Sequence, residues 1–194
     1  MNKTLFFYLM LILSLKIQAQ NECSWCGTFE TPKNTTWETI ICSNEEPGQR
    51  IIITGVVYKD DGKTPAPNVK IYVYHTNIKG LYPKRGNETG NGKYHGYLRG
   101  WMITDINGRY KFETIKPAPY PTHEGEPAHI HYTIEAEGYP EYWLTGLWFE
   151  DDPLVTPAVV KNVERNGGFS NVTKLIPDKN GVLRGIRNIK LERF

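Results

Sequence analysis

Two histidines, His129 and His131, stand two positions apart in an apolar and β-branched run, residues 129–137. Alternate residues of a strand face the same side, so this spacing sends both imidazoles to one face, where they can share a metal ion. His-x-His alone is a weak signal, and its surroundings strengthen it. Tyr120-Pro121 and Pro127-Ala128 precede the pair, and the prolines restrict where Tyr120 points. Only a short loop separates Tyr120 from the strand, so its phenol is within reach of the same ion. A tyrosinate is a hard anionic oxygen donor, suited to Fe(III) rather than to Zn or Cu(I). His75, His95 and His123 occur singly, and each is assigned a surface or hydrogen-bonding role.

The elements that must hold these donors are read from periodicity and turn signals. The 18 Gly and 13 Pro are spread along the chain, which implies many turns and a β-rich architecture. Strands are expected at 50–58, 69–75, 129–137, 142–149 and 183–191. Two more, at 102–104 and 109–114, flank Asp105-Ile106-Asn107-Gly108 and read as a hairpin. Residues 77–100 are loop-rich, and the alternating prolines of 116–121 exclude a central strand there. One short helix is expected at 155–164. The fold class is therefore all-β, a single β-sandwich domain over 51–194 preceded by an irregular arm at 20–50.

Residues 1–19 combine Lys3, an apolar run from Leu5 to Leu15 and a small residue, Ala19. This is the pattern of a secretory signal peptide cleaved near Ala19, and the run is short for a membrane span. The expectation is an exported protein with no membrane span in its mature form. Losing Lys3 and Lys16 balances the basic and acidic side chains, so no nucleic-acid footprint is left. Cys23, Cys26 and Cys42 read as structural, with Cys23 or Cys26 bridging to Cys42 to staple the arm. Asn34, Asn87 and Asn171 each open an Asn-x-Thr triplet that fits a glycosylation pattern.

From Gly55 to Leu154 the chain resembles the intradiol ring-cleavage dioxygenases, the catechol and protocatechuate dioxygenases. The resemblance runs in order through Gly55-Val56-Val57, Asn77-x-x-Gly80-x-Tyr82, Arg99-Gly100-x4-Asp105-x-x-Gly108-x-Tyr110-x-Phe112-x-Thr114 and Pro119-Tyr120-Pro121. It continues through Pro127-Ala128-His129-Ile130-His131 and Leu147-Trp148-Phe149-Glu150-Asp151-Asp152-Pro153-Leu154. It implies a β-sandwich with one non-haem Fe(III) held by Tyr82, Tyr120, His129 and His131. It also implies that an aromatic diol reacts with O2 and opens between its hydroxyls to a muconate-type diacid. Tyr120 would leave the iron as the diol binds and take a proton from it as a base; Tyr82 and the histidines would stay. A homodimer is compatible with the resemblance. Two positions depart from the family pattern. Glu126 stands where an Arg is usual, with Arg85 or Arg99 as candidates to supply the charge from elsewhere, and Gly146 stands where a Gln is usual. Two alternatives remain: an exported transthyretin-like sandwich module that only binds, or an iron-binding family member with little or no dioxygenase activity.

Overall fold

The computed structural model describes residues 25–122, 125–161 and 163–193. The proposed signal peptide, Cys23 and His123 lie outside these. Eleven strands are described: β1 (Glu38–Ile40), β2 (Arg50–Tyr58), β3 (Lys70–His75), β4 (Arg99–Ile103), β5 (Arg109–Ile115), β6 (His129–Ala136), β7 (Tyr139–Phe149), β8 (Val172–Thr173), β9 (Ile176–Pro177), β10 (Leu183–Ile186) and β11 (Ile189–Lys190). One sheet runs β1-β5-β2-β10-β9, with β11 also on β2, and the other runs β4-β3-β6-β7-β8. The two form the expected sandwich.

Alternation builds the core. Ile51, Ile53 and Val57 of β2 and Tyr110 and Phe112 of β5 are buried against Ile71 and Val73 of β3, Ile130, Tyr132 and Ile134 of β6, and Leu144, Leu147 and Phe149 of β7. Burial of each such side chain contributes about 1.5–3 kcal/mol. The intervening residues of the second sheet, Tyr72, Tyr74, His129, His131, Thr133, Trp143 and Trp148, consequently point to its outer face.

Four expectations are corrected by this topology. The strands on either side of Asp105–Gly108 do not form a hairpin: β4 pairs with β3 and β5 with β2, in different sheets. The turn itself is tight, with Gly108 N–H donating to Asp105 O. But Thr104 N–H donates to Val69 O and Val57 N–H to Gly108 O, so each end joins a different sheet. The arm is not irregular throughout, because Thr28–Glu30 forms a 3-10 turn and β1 pairs in parallel with β5. The expected helix is confined to Pro157–Lys161, and a second helical turn, Gly92–His95, lies in the loop-rich stretch. Finally, Cys42 is a buried free thiol, while Cys26 is disulfide-bonded. The staple to Cys42 does not form because its Sγ sits in a polar pocket instead, accepting from Arg50 Nη1 at 3.1 Å beside Thr114 Oγ1.

The last strand keeps one register along β2, from Leu183 opposite Ile51 to Ile189 opposite Val57, but is interrupted at Arg187-Asn188. There the Asn188 side chain, rather than its backbone, accepts from Val56 N–H at 3.1 Å. Gly55 makes room: a Cβ at this position would lie 1.8 Å from Arg187 O and 2.7 Å from the Tyr110 ring. Gly55→Ala is expected to cost about 2–4 kcal/mol by overpacking, read as a lower urea midpoint with an unchanged slope.

Candidate metal centre

The loop carrying Tyr82 is clamped against the proline segment carrying Tyr120. Gly80 N–H and Ala118 N–H both donate to Asn77 O, and Thr76 Oγ1 donates to Ala118 O at 2.6 Å. Gly80 has φ of +72°, and a Cβ there would meet Pro119 O at 2.1 Å, so the two segments can close only with glycine. This closure brings the two phenols together. Tyr82 and Tyr120 share a short O–H···O contact, and each hydroxyl lies 2.9 Å from His131 Nε2. His129 Nε2 is also 2.9 Å from His131 Nε2. The four residues singled out in the sequence therefore meet with their donor atoms converging.

The donor set fits a cation. His129 Nδ1 lies 2.7 Å from Pro127 O, which places its proton on Nδ1 and turns the Nε2 lone pair toward the cluster. Neighbouring donors on one ion, each about 2.0–2.1 Å from it and at right angles, stand about 3 Å apart, close to the spacing observed. Two phenolates and two neutral imidazoles supply hard donors and two negative charges, as a trivalent ion requires. With no cation, burial pushes both phenols above their usual range, the Tyr120 contact adding to the effect at Tyr82. Burial, then the neighbouring His129, holds His131 well below its usual value and so neutral. A bound cation reverses this preference at the phenols. Among the described residues no group of three or more His, Cys, Asp or Glu could hold a metal; the converging set is two Tyr and two His.

The surroundings add residues that sequence reasoning missed. Tyr74, opposite His131 in the ladder, stacks on its ring at 4.3 Å and on His95 at 3.7 Å. His95 is in turn held by Tyr72, with its Nδ1 2.8 Å from the hydroxyl. The alternation of β3 could have revealed this, since Tyr72 and Tyr74 share the outer face with the histidines. The N-terminal arm forms one wall. Gly27 N–H and Thr28 N–H donate to Glu141 Oε1, Trp101 Nε1–H donates to Gly27 O, and a Cβ on Gly27 would strike the Tyr72 ring. Trp25 thereby lines a cleft of about 680 Å³ over the cluster, with Glu126, Trp143 and Trp148 also on its walls. Glu126 Oε1 lies 3.6 Å from His129 Nε2. A Cβ on Gly146 would lie 3.1–3.2 Å from His129, so glycine leaves this ring uncovered.

Neither proposed source of positive charge reaches the cleft walls. Arg85 lies over Tyr97, and Arg99 pairs with Glu30 and lies over Trp101. Two other guanidinium groups lie against rings of the cleft wall: Arg165 over Trp143, and Arg187, fully buried, over Tyr132 with Nη2 donating to Thr145 O. Nε and Nη1 of Arg187 have no hydrogen-bond partner among the described residues. Asn171 is buried and donates to Gly146 O, so it is no glycan acceptor in the folded chain. His75 and His95 are buried rather than on the surface, and both are hydrogen-bonded.

The protein-family model described as "Dioxygenase" matches residues 28–179. The chain belongs to the intradiol ring-cleavage dioxygenase family. It is 33% identical over 123 residues to catechol 1,2-dioxygenase of Acinetobacter baylyi, covering 56% of this chain and 39% of that protein. It is 34% identical over 118 residues to the protocatechuate 3,4-dioxygenase beta chain of Burkholderia cepacia, covering 58% and 50%. The chain thus spans half or less of the length of these relatives. In fold it is similar to the dioxygenase domain of a dioxygenase carbohydrate-binding protein fusion from Streptomyces sp. SirexAA-E (TM-score 0.59, 22% identity, 84% of this chain and 92% of that one). It is likewise similar to an intradiol ring-cleavage dioxygenase from Tetranychus urticae (TM-score 0.57, 22% identity, 84% and 91%).

Behind the cluster, His75 is fully buried, with Nδ1 2.8 Å from Thr76 O and Nε2 2.7 Å from Thr114 Oγ1. Burial lowers its pKa from 6.5 to about 4. The folded chain therefore binds fewer protons here than the unfolded chain between these values, and stability is lost as pH falls through this window. A loss on the order of 3 kcal/mol is expected from pH 6.5 to 4. Urea titrations at each pH would read it, and His75→Gln should lack this component.

Proposed function

We propose that this chain is a non-haem Fe(III) dioxygenase that cleaves a catechol-type ring between its two hydroxyls. The observation that carries this reading is the convergence of Tyr82, Tyr120, His129 and His131 on one point at the floor of an aromatic cleft. When bound, the ferric ion would hold the diolate and make its ring reactive toward O2.

The protein's own part is positioning and proton transfer. Tyr82 sits on the clamped loop, and His129 and His131 on a central strand, so these three make a fixed base. Tyr120 ends the proline segment, beside the exposed Pro121 and Thr122, and is the donor with room to move. Its phenolate accepts a proton from a diol hydroxyl as the substrate enters, and its ring packs edge-on against His129. The walls of Trp148 and Tyr74 exclude water from the ring. Diol and O2 balance the product without a further reductant: the bond between the hydroxyl-bearing carbons breaks, and both oxygen atoms end in the two carboxyl groups. Export directed by residues 1–19 belongs to the same reading.

Glu126 favours a second reading, a member that binds iron but turns over slowly, because an acidic group beside His129 opposes the negative charge that develops on the substrate. Purified protein is expected to carry one iron per chain and a visible ferric-tyrosinate band. Tyr82→Phe should weaken and shift the band, leaving Tyr120 as the one tyrosinate, and weaken iron binding at least about tenfold. A colourless protein that takes up no iron on ferric reconstitution would sink both readings. Oxygen uptake with catechol, and mass spectrometry of the diacid made under labelled O2, would separate them. Glu126→Arg should raise turnover if the acidic group is what limits it.

A further inference from the structure

The cleft is longer than the metal site needs. Trp148 stands opposite His129 and Trp143 opposite Thr133, so the wall extends four residues along β6, about 13 Å at 3.3 Å per residue. The converging donors occupy only the His129–His131 end. The remainder is walled by Thr133, Leu144, Trp25 and Trp143 and has no part in holding the diol. Trp25 is 54% and Trp143 37% exposed, and both of these large apolar rings line the same cleft. Both are held in place, Trp25 by the arm pinned through Glu141 and Trp143 by the Arg165 guanidinium 4.7 Å from its ring. At the diol end, Glu126 is the one ionisable acid or base among the described wall residues besides the site tyrosines and histidines, with Tyr74 and Tyr132 the other phenols. A carboxylate attached directly to the diol ring would stay within reach of Glu126 and meet like charge.

Resting on the function proposed above, we infer that the substrate is an uncharged catechol bearing a second aromatic ring. The diol lies on the donor cluster and the second ring between Trp25 and Trp143. The extension fills the length of the cleft, stacks on the two indoles and carries no negative charge past Glu126. Trp25 and Trp143 are specificity residues that touch the far ring.

The test uses three probes: catechol, 4-phenylcatechol and 3,4-dihydroxybenzoate. With the iron-loaded protein under argon, tryptophan fluorescence measures binding without turnover. 4-Phenylcatechol is expected to bind about tenfold more tightly than catechol, from two ring–ring contacts, and 3,4-dihydroxybenzoate most weakly. Trp143→Ala should lower the ratio of kcat/KM for 4-phenylcatechol over catechol about threefold, the share of one of the two contacts, and Trp143→Phe should restore part of it. Glu126→Gln should improve binding of the benzoate relative to catechol. Equal affinity for catechol and 4-phenylcatechol, a Trp143→Ala loss shared equally by both, or tightest binding of the benzoate would overturn the inference. Consumption of catechol with no advantage for the longer diol sinks this inference alone. An iron-loaded protein that consumes no diol removes the proposed function and this inference with it.

Discussion

A β-strand turns alternate side chains to opposite faces, and β6 depends on that property in both directions. Ile130, Tyr132 and Ile134 enter the core and fix the strand, while His129 and His131 are carried to the outer face without freedom to slip. A shift of one residue would exchange the two sets, so the hydrophobic core and the donor geometry enforce each other. The neighbouring strands extend the logic. Tyr74 on β3 and Trp148 on β7 are the cross-strand neighbours of His131 and His129, and Tyr74 stacks on the ring that His131 presents.

Two loops must then deliver phenols to a point set by the strand, and here backbone geometry rather than apolar burial decides. The Asn77–Ala118 bond, the Thr76–Ala118 bond and the missing side chain of Gly80 draw the Tyr82 and Tyr120 segments together. Beneath them, His75, Thr114, Cys42 and Arg50 form a buried polar chain ending at Glu113. Such a chain is affordable only because most of its members are satisfied. Arg50 Nε is its exception, and elsewhere in the core Nε and Nη1 of Arg187 and the Tyr132 hydroxyl are likewise unpartnered among the described residues.

Much of this was legible in the sequence, and the reasons differ by residue. His129 and His131 were readable because period two is local, and Tyr120 because prolines announce a fixed direction. Tyr82 lies 49 residues from His131, and only resemblance connected them. The reading of 102–114 as a hairpin failed because the turn residues specify the reversal and not the partners. Whether the two strands pair is decided by Val69 and Val57, which lie far away in sequence. Arg187 and the arm were invisible for the same reason. A lone arginine near a chain end gives no sign of burial, and Cys42 lies near no cysteine that its own neighbours would reveal.

The wall contributed by Trp25 sets an order of events for the newly made chain. Its anchor, Glu141, lies 114 residues beyond Gly27, on β7 and after the strand that carries both histidines. Synthesis delivers the wall first, its contacts with Tyr72 and Trp101 follow with β3 and β4, and its Glu141 anchor comes only with β7. Closing so long a loop is slow and repaid late. The wall is therefore fully anchored only when the strands from β3 to β7 are all present.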